Sequence, residues 1–100
     1  MTIQEIRQDL RDIRYYYSKK EQFDRASNII LPKALLEKIE RYQKAMLNAP
    51  ARLLDLYISL YVQNRSQAAL AYEWNYSNDY IKQQNKQLCD YLLEALPRCT

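Results

Sequence analysis

Glycine is entirely absent from these 100 residues. β-Sandwiches and doubly wound α/β domains turn through left-handed backbone at several points, where glycine is the usual supplier. Its absence, with only Pro32, Pro50 and Pro97 as breakers, points to helices and excludes a glycine-rich phosphate-cradling loop. Histidine is absent too, which removes the commonest general acid/base, the usual partner of a catalytic Ser or Cys, and the commonest metal ligand. No enzymatic activity, cofactor or metal is expected. The two cysteines, Cys89 and Cys99, fit neither a disulfide framework nor a CxxC metal site and read as reduced thiols. No apolar run approaches the ~20 residues of a membrane span, and MTIQEIRQDLRDIR resembles neither a signal nor a transit peptide. The expectation is a cytoplasmic protein without a membrane partner.

What is present suits a small globular domain: 48% hydrophobic and 27% charged residues, a balance that folds rather than stays disordered. At 12.1 kDa the chain carries one core, so residues 1–100 are read as one domain. Ile3, Ile6, Leu10, Ile13 and Tyr17 recur at steps of three and four, predicting an amphipathic helix from about residue 2 to about residue 23. That seam either packs on the chain's own helices or pairs with a second copy; pairing into a homodimer is the preferred expectation. The other face, with Glu5, Arg7, Asp9, Arg11, Asp12 and Arg14, is mixed in sign and reads as solvated surface. In the run Tyr15-Tyr16-Tyr17, successive side chains point about 100° apart, so at least one ring must face outward.

Small polar residues and Pro32 place a connection over residues 24–31. A second helix begins near Pro32, with Leu35, Leu36, Ile39, Tyr42, Met46 and Leu47 as its stripe, and closes at Asn48-Ala49-Pro50. ARLLDLYISLYV then reads as a third helix, apolar nearly all round and central to a bundle. Tyr42, Tyr57, Tyr61, Tyr72 and Tyr91 recur with Leu and Ile at helical spacing and read as core or core edge. Tyr76 and Tyr80 are placed to reach a phosphate.

Ser66 and Ser77 are both N-cap candidates separated by one short helix and a tight turn, the spacing of a helix-turn-helix. The short helix holds Gln67 to Trp74, with Leu70 inward and Ala69 and Ala71 small enough for close crossing. Asn75 makes the turn, since asparagine is the best left-handed substitute where glycine is lacking. The next helix starts at Asn78 with Ile81, Leu88, Tyr91, Leu92 and Ala95 inward. The fold class is therefore all-α, a small bundle of four to five helices. Residues 1–50 are its helical support or dimerisation region and residues 51–96 its helix-turn-helix region.

On the pattern LYISLYV, Leu70-Ala71, Asn75-Tyr76-Ser77, Ile81 and Leu88, residues 51–96 resemble sigma-70 region 4-like helix-turn-helix proteins. The resemblance is particularly to the ArpU-like small phage and mobile-element transcriptional regulators of Gram-positive bacteria. The resemblance implies a DNA-binding transcriptional regulator with duplex DNA as partner, alone or with RNA polymerase. Its reading face would be Asn78, Asp79, Lys82, Gln83 and Lys86, with Arg65 and Ser77 on the backbone. Asn and Gln pair bidentately with adenine, and Lys reaches guanine or phosphate. Asp79 reads equally as a helix-start residue favoured by the macrodipole. The chain departs from that family at Gln84, where an apolar residue is usual, and in lacking arginines on the second helix.

Charge distribution bears on this. Residues 1–50 carry ten Lys/Arg against seven Asp/Glu, whereas residues 51–100 carry five of each. The proposed reading half thus lacks the basic excess of a tight phosphate binder, so DNA binding needs a dimer, a partner, or help from Arg14, Lys19, Lys20 and Arg25. The alternative expectation is a protein-interaction module that docks on a polymerase subunit or a phage protein without touching DNA.

Overall fold

In a computed structural model, which describes residues 1–25 and 32–98, the chain forms five α-helices and no strand among the described residues. They are α1 (Ile3–Arg25), α2 (Lys33–Leu47), α3 (Ala51–Tyr57), α4 (Gln67–Trp74) and α5 (Asn78–Ala95). A closing 3₁₀ turn covers Leu96–Arg98. The all-α bundle expected from the glycine-free composition is the architecture observed. Of the connection expected over residues 24–31, Asp24 and Arg25 belong instead to α1, and the remainder lies outside the described residues, as does Cys99.

One core unites all five helices. Ile6, Leu10 and Ile13 of α1 meet Ile39, Tyr42 and Met46 of α2, Leu53 and Leu56 of α3, Leu70 of α4, and Ile81, Leu88 and Leu92 of α5. This corrects the preferred expectation for the N-terminal seam. Ile6, Leu10 and Ile13 are fully enclosed within one chain, with Ile3 and Tyr17 half-buried at the ends, so the stripe packs on the chain's own helices. The physical reason lies in residues 58–62, which follow α3, and in α5, whose apolar surfaces need a partner at the same height along the bundle, and α1 supplies it.

The third helix is less regular than its pattern predicts. After Tyr57 the chain widens into a π-helical stretch, Ile58–Val62, in which the Gln63 N–H reaches back five residues to the Ile58 carbonyl at 2.8 Å. The insertion of one residue into the turn keeps Leu60 and Tyr61 inward and leads into Asn64, whose φ of 58° is left-handed. Without glycine, asparagine carries that conformation.

Periodicity overestimated burial at several points. On α2, Leu36 and Leu47 are exposed because the stripe is wider than the groove that receives it. Tyr72 of α4, read as core, is 87% exposed, since α4 turns only Leu70 and Ala71 inward. Ala69 is likewise exposed, and Ala71 alone gives close passage to α5.

Candidate nucleic-acid interface

The segment from Ser66 to Ser77 is built by local chemistry. Ser66 Oγ accepts a hydrogen bond from the Ala69 N–H at 3.0 Å, capping α4. The helix ends at Asn75, in left-handed backbone at φ 60°, ψ 40°, with its N–H directed to the Ala71 and Tyr72 carbonyls. Ser77 Oγ then accepts from the Tyr80 N–H at 3.1 Å and starts α5. Each cap satisfies a donor that would otherwise be orphaned, contributing about 1 kcal/mol. Cap, helix, left-handed turn and second cap stand at the residues the sequence assigned to them.

On α5 the structure separates two faces. Ile81, Gln84, Leu88, Cys89 and Leu92 are buried, whereas Asn78, Asp79, Lys82, Gln83 and Lys86 are all exposed on one contiguous strip. Ser77 stands exposed at the head of that strip. Asp79 occupies the first turn, where the positive end of the helix dipole favours a carboxylate. Arg65, placed by sequence with this group, is ion-paired to Glu73 of α4, which removes part of its charge from solvent. Gln84, the departure noted above, is 93% enclosed, and its Oε1 has no hydrogen-bond partner among the described residues. Cys89 is buried as well, and its thiol is pushed up by that burial despite the nearby Arg7.

Tyr76, which is exposed, and Tyr80, which is half-buried, pack on each other. Their rings stack at 4.2 Å, and the Arg52 guanidinium of α3 lies 5.3 Å from the Tyr80 ring, a cation–π contact. Tyr80 sits between the exposed polar strip and the buried face, so this stack fastens the turn to α3.

The main surprise is α1. Its charges, mixed in sequence, are sorted by helical rotation into two flanks. Toward α2, Lys38 Nζ lies 3.1 Å from Asp9 and 3.0 Å from Asp12, and the Tyr42 hydroxyl donates to Asp9 at 2.7 Å. The other flank carries Arg7, Arg11 and Arg14, which with Gln67, Lys82 and Asn85 line an open cavity of 430 Å³ over the Tyr61 ring. The Tyr61 hydroxyl donates to Asn85 at 2.5 Å and fixes that wall. None of these four cations is ion-paired among the described residues.

Sequence reasoning named Arg14 as a helper but missed Arg7 and Arg11. The signal was available in the spacing Arg7, Arg11, Arg14, which puts three guanidinium groups on one helix face. Lys19 and Lys20 do not line the cavity, and Lys20 and Arg25 pair with Asp24 and Glu21 inside α1. A second groove, of 480 Å³, is apolar and runs between the C-terminal parts of α1 and α2 and the π-helical stretch, with Leu47 at its edge and Tyr57 in its lining. Among the described residues no cluster of Asp, Glu or Cys could hold a metal ion, and no helix is long and apolar enough to cross a membrane.

Comparison with protein-family models, curated proteins and solved structures returned no match.

Proposed function

We infer that this protein is a DNA-binding transcriptional regulator of the sigma-70 region 4-like, ArpU-like kind, acting in the cytoplasm through its helix-turn-helix. The observation that carries the reading is the pair of serine-capped helices joined by left-handed Asn75, which leaves Asn78, Asp79, Lys82, Gln83 and Lys86 as one exposed polar strip on α5. A helix presented in this way enters the major groove with its N-terminal residues against base edges. Asn78 and Gln83 suit adenine, Lys82 and Lys86 suit guanine or phosphate, and Ser77 retains a hydroxyl proton to donate to the backbone. Partners in this reading are duplex DNA and, at a promoter, RNA polymerase. A homodimer would have to form through surfaces other than the α1 seam. No catalysis is part of it.

Fluorescence anisotropy against random-sequence duplex, at low and at physiological salt, tests the reading. Salt-sensitive binding supports it, and Lys82→Ala/Gln83→Ala should then weaken a selected site by about 1–3 kcal/mol per lost base contact while the thermal midpoint holds. Absence of binding at low salt overturns it.

A second reading, a protein-interaction module docking on a polymerase subunit or phage protein, is favoured by two observations. Tyr72 is 87% exposed, and Leu47 is 78% exposed at the edge of the apolar groove. A light-scattering mass that rises on mixing with the polymerase subunit, without duplex binding, would select this second reading.

A further inference from the structure

The geometry points to the arginine flank of α1 as a clamp for the phosphodiester backbone of the duplex that α5 reads. This inference rests on the DNA-binding reading of α5. It assigns to Arg7, Arg11 and Arg14 a task that neither the helix-turn-helix pattern nor the resemblance gives them.

Three features carry it. The first is uncompensated charge. Like charges four residues apart on a helix repel, and carboxylates usually answer them, as Asp9 and Asp12 answer Lys38 on the opposite flank. Arg7, Arg11, Arg14 and Lys82 converge on one cavity with no carboxylate among its lining residues. Among the described residues no carboxylate at the cavity supplies the counter-charge, and a polyanion would supply it.

The second feature is preorganisation by neutral acceptors. Arg14 Nε donates to Asn64 Oδ1 at 3.3 Å, and Arg11 Nη2 donates to Gln8 Oε1 at 2.8 Å. Arg7 lies near the buried, neutral Cys89 thiol. A guanidinium has five donors, so one such bond orients the group and leaves the others, with the full positive charge, for an anion. Asn64 holds its position through left-handed backbone directly after the π-helical stretch. Irregular backbone is thus spent on placing an acceptor behind an arginine that faces the cavity.

The third feature is spacing and continuity. Seven residues of helix separate Arg7 from Arg14, about 10 Å along the axis. At about 3.4 Å of axial rise per nucleotide on one strand, that length matches about three successive phosphates. Lys82 belongs both to this cavity and to the exposed strip of α5, so backbone seated on α1 would run directly into the groove that α5 reads. The basic excess missing from residues 51–100 is thereby restored in space by residues far away in sequence.

The test compares salt dependence, using random-sequence duplex as probe. Each phosphate contact contributes about 0.9 to the slope of log affinity against log salt. Arg7→Gln/Arg11→Gln/Arg14→Gln should therefore flatten the slope of the parent by about two to three, and weaken every duplex by the same factor. Glutamine keeps part of the hydrogen bonding, and the helical circular dichroism and thermal midpoint check the fold. Arg11→Glu gives a second handle, because Arg11 is exposed and its hydrogen bond to Gln8 lies within α1, so its reversal should weaken duplex binding in a folded protein.

A control, Arg25→Ala/Lys33→Ala/Lys44→Ala, removes three exposed cations outside the cavity and should flatten the slope by less than one. A slope unchanged in the glutamine variant, or an equal flattening in the control, overturns the clamp and leaves the reading of α5 standing. A parent that binds no duplex overturns both.

Discussion

Three of the ten tyrosines, Tyr42, Tyr57 and Tyr61, are buried, and this couples the fold to alkaline pH. Burial pushes the Tyr42 phenol far above its usual range, and the carboxylate of Asp9, which accepts its proton at 2.7 Å, pushes it further. Tyr57 is raised by burial, with its hydroxyl unpartnered, and burial lifts Tyr61 to about 12. In an unfolded chain each would ionise near pH 10. Because the folded values are raised, their stabilising contribution is complete below about pH 10 and is lost as pH climbs toward the folded values.

The unfolded state releases three protons that the folded state keeps, so stability falls by about 4 kcal/mol per pH unit over that window. Because the unfolded phenols are only half ionised at pH 10 and folded Tyr61 begins to ionise near 12, the loss between pH 10 and 12 is about 6 kcal/mol, comparable with the about 5–15 kcal/mol that holds a domain of this size together. Lys38 adds to it with the same sign. Burial works against its charge, but the hydrogen bonds to Asp12 and Asp9 outweigh burial and raise it, so the folded state holds that proton too.

Tyrosinate absorbance and helical circular dichroism, followed together in one alkaline titration, should show a late group of tyrosines ionising only as the helical signal collapses. Tyr42→Phe should make the fall about one third less steep. Smooth ionisation of every tyrosine with the helices intact would refute the reasoning.

Other expectations follow from single contacts. Asn75→Ala places a non-glycine residue without a polar side chain at φ 60° and should cost about 1 kcal/mol, lowering the thermal midpoint by about 4–8 °C, whereas Asn75→Gly should be neutral or stabilising. Ser66→Ala removes the acceptor for the Ala69 N–H and should cost about 1 kcal/mol in chemical denaturation, with no change in denaturant slope. Leu70→Ala empties a fully enclosed position between α4 and the rest of the core and should cost about 2–5 kcal/mol. Tyr72→Ser, on the outer face of α4, should leave the midpoint within about 0.5 kcal/mol of the parent.

What could be read from sequence follows the range of the forces involved. Ser66, Asn75 and Ser77 were legible because caps and left-handed turns are decided within a few residues, and in a chain without glycine few residue types can fill those positions. The exposed strip of α5 was legible for a similar reason, since Ile81, Leu88 and Leu92 fix the inward face and everything opposite must face out. The arginine cavity was hidden because it exists only once α1 lies against α5. Summing charge by halves of the chain set Arg7 and Arg11 apart from Lys82, whereas the fold brings them together.

The α1 seam was misassigned because a stripe of Ile and Leu carries no label for its partner. The π-helical stretch was invisible because it adds one residue to a turn without changing the apolar pattern around it. Tyr72 misled for the same reason as Leu47, in that an apolar residue at helical spacing faces the core only where a neighbouring element is present to cover it.

The central claim is that duplex DNA is read by the exposed strip of α5. It is tested most directly by a nitrogen–proton NMR titration of the labelled protein with random-sequence duplex at low salt. The account predicts shifts concentrated at the amides of Ser77 to Lys86 and at the side-chain Nε–H groups of Arg7, Arg11 and Arg14. Shifts centred instead on Leu47 and the lining of the apolar groove, or no shifts at all, would contradict it.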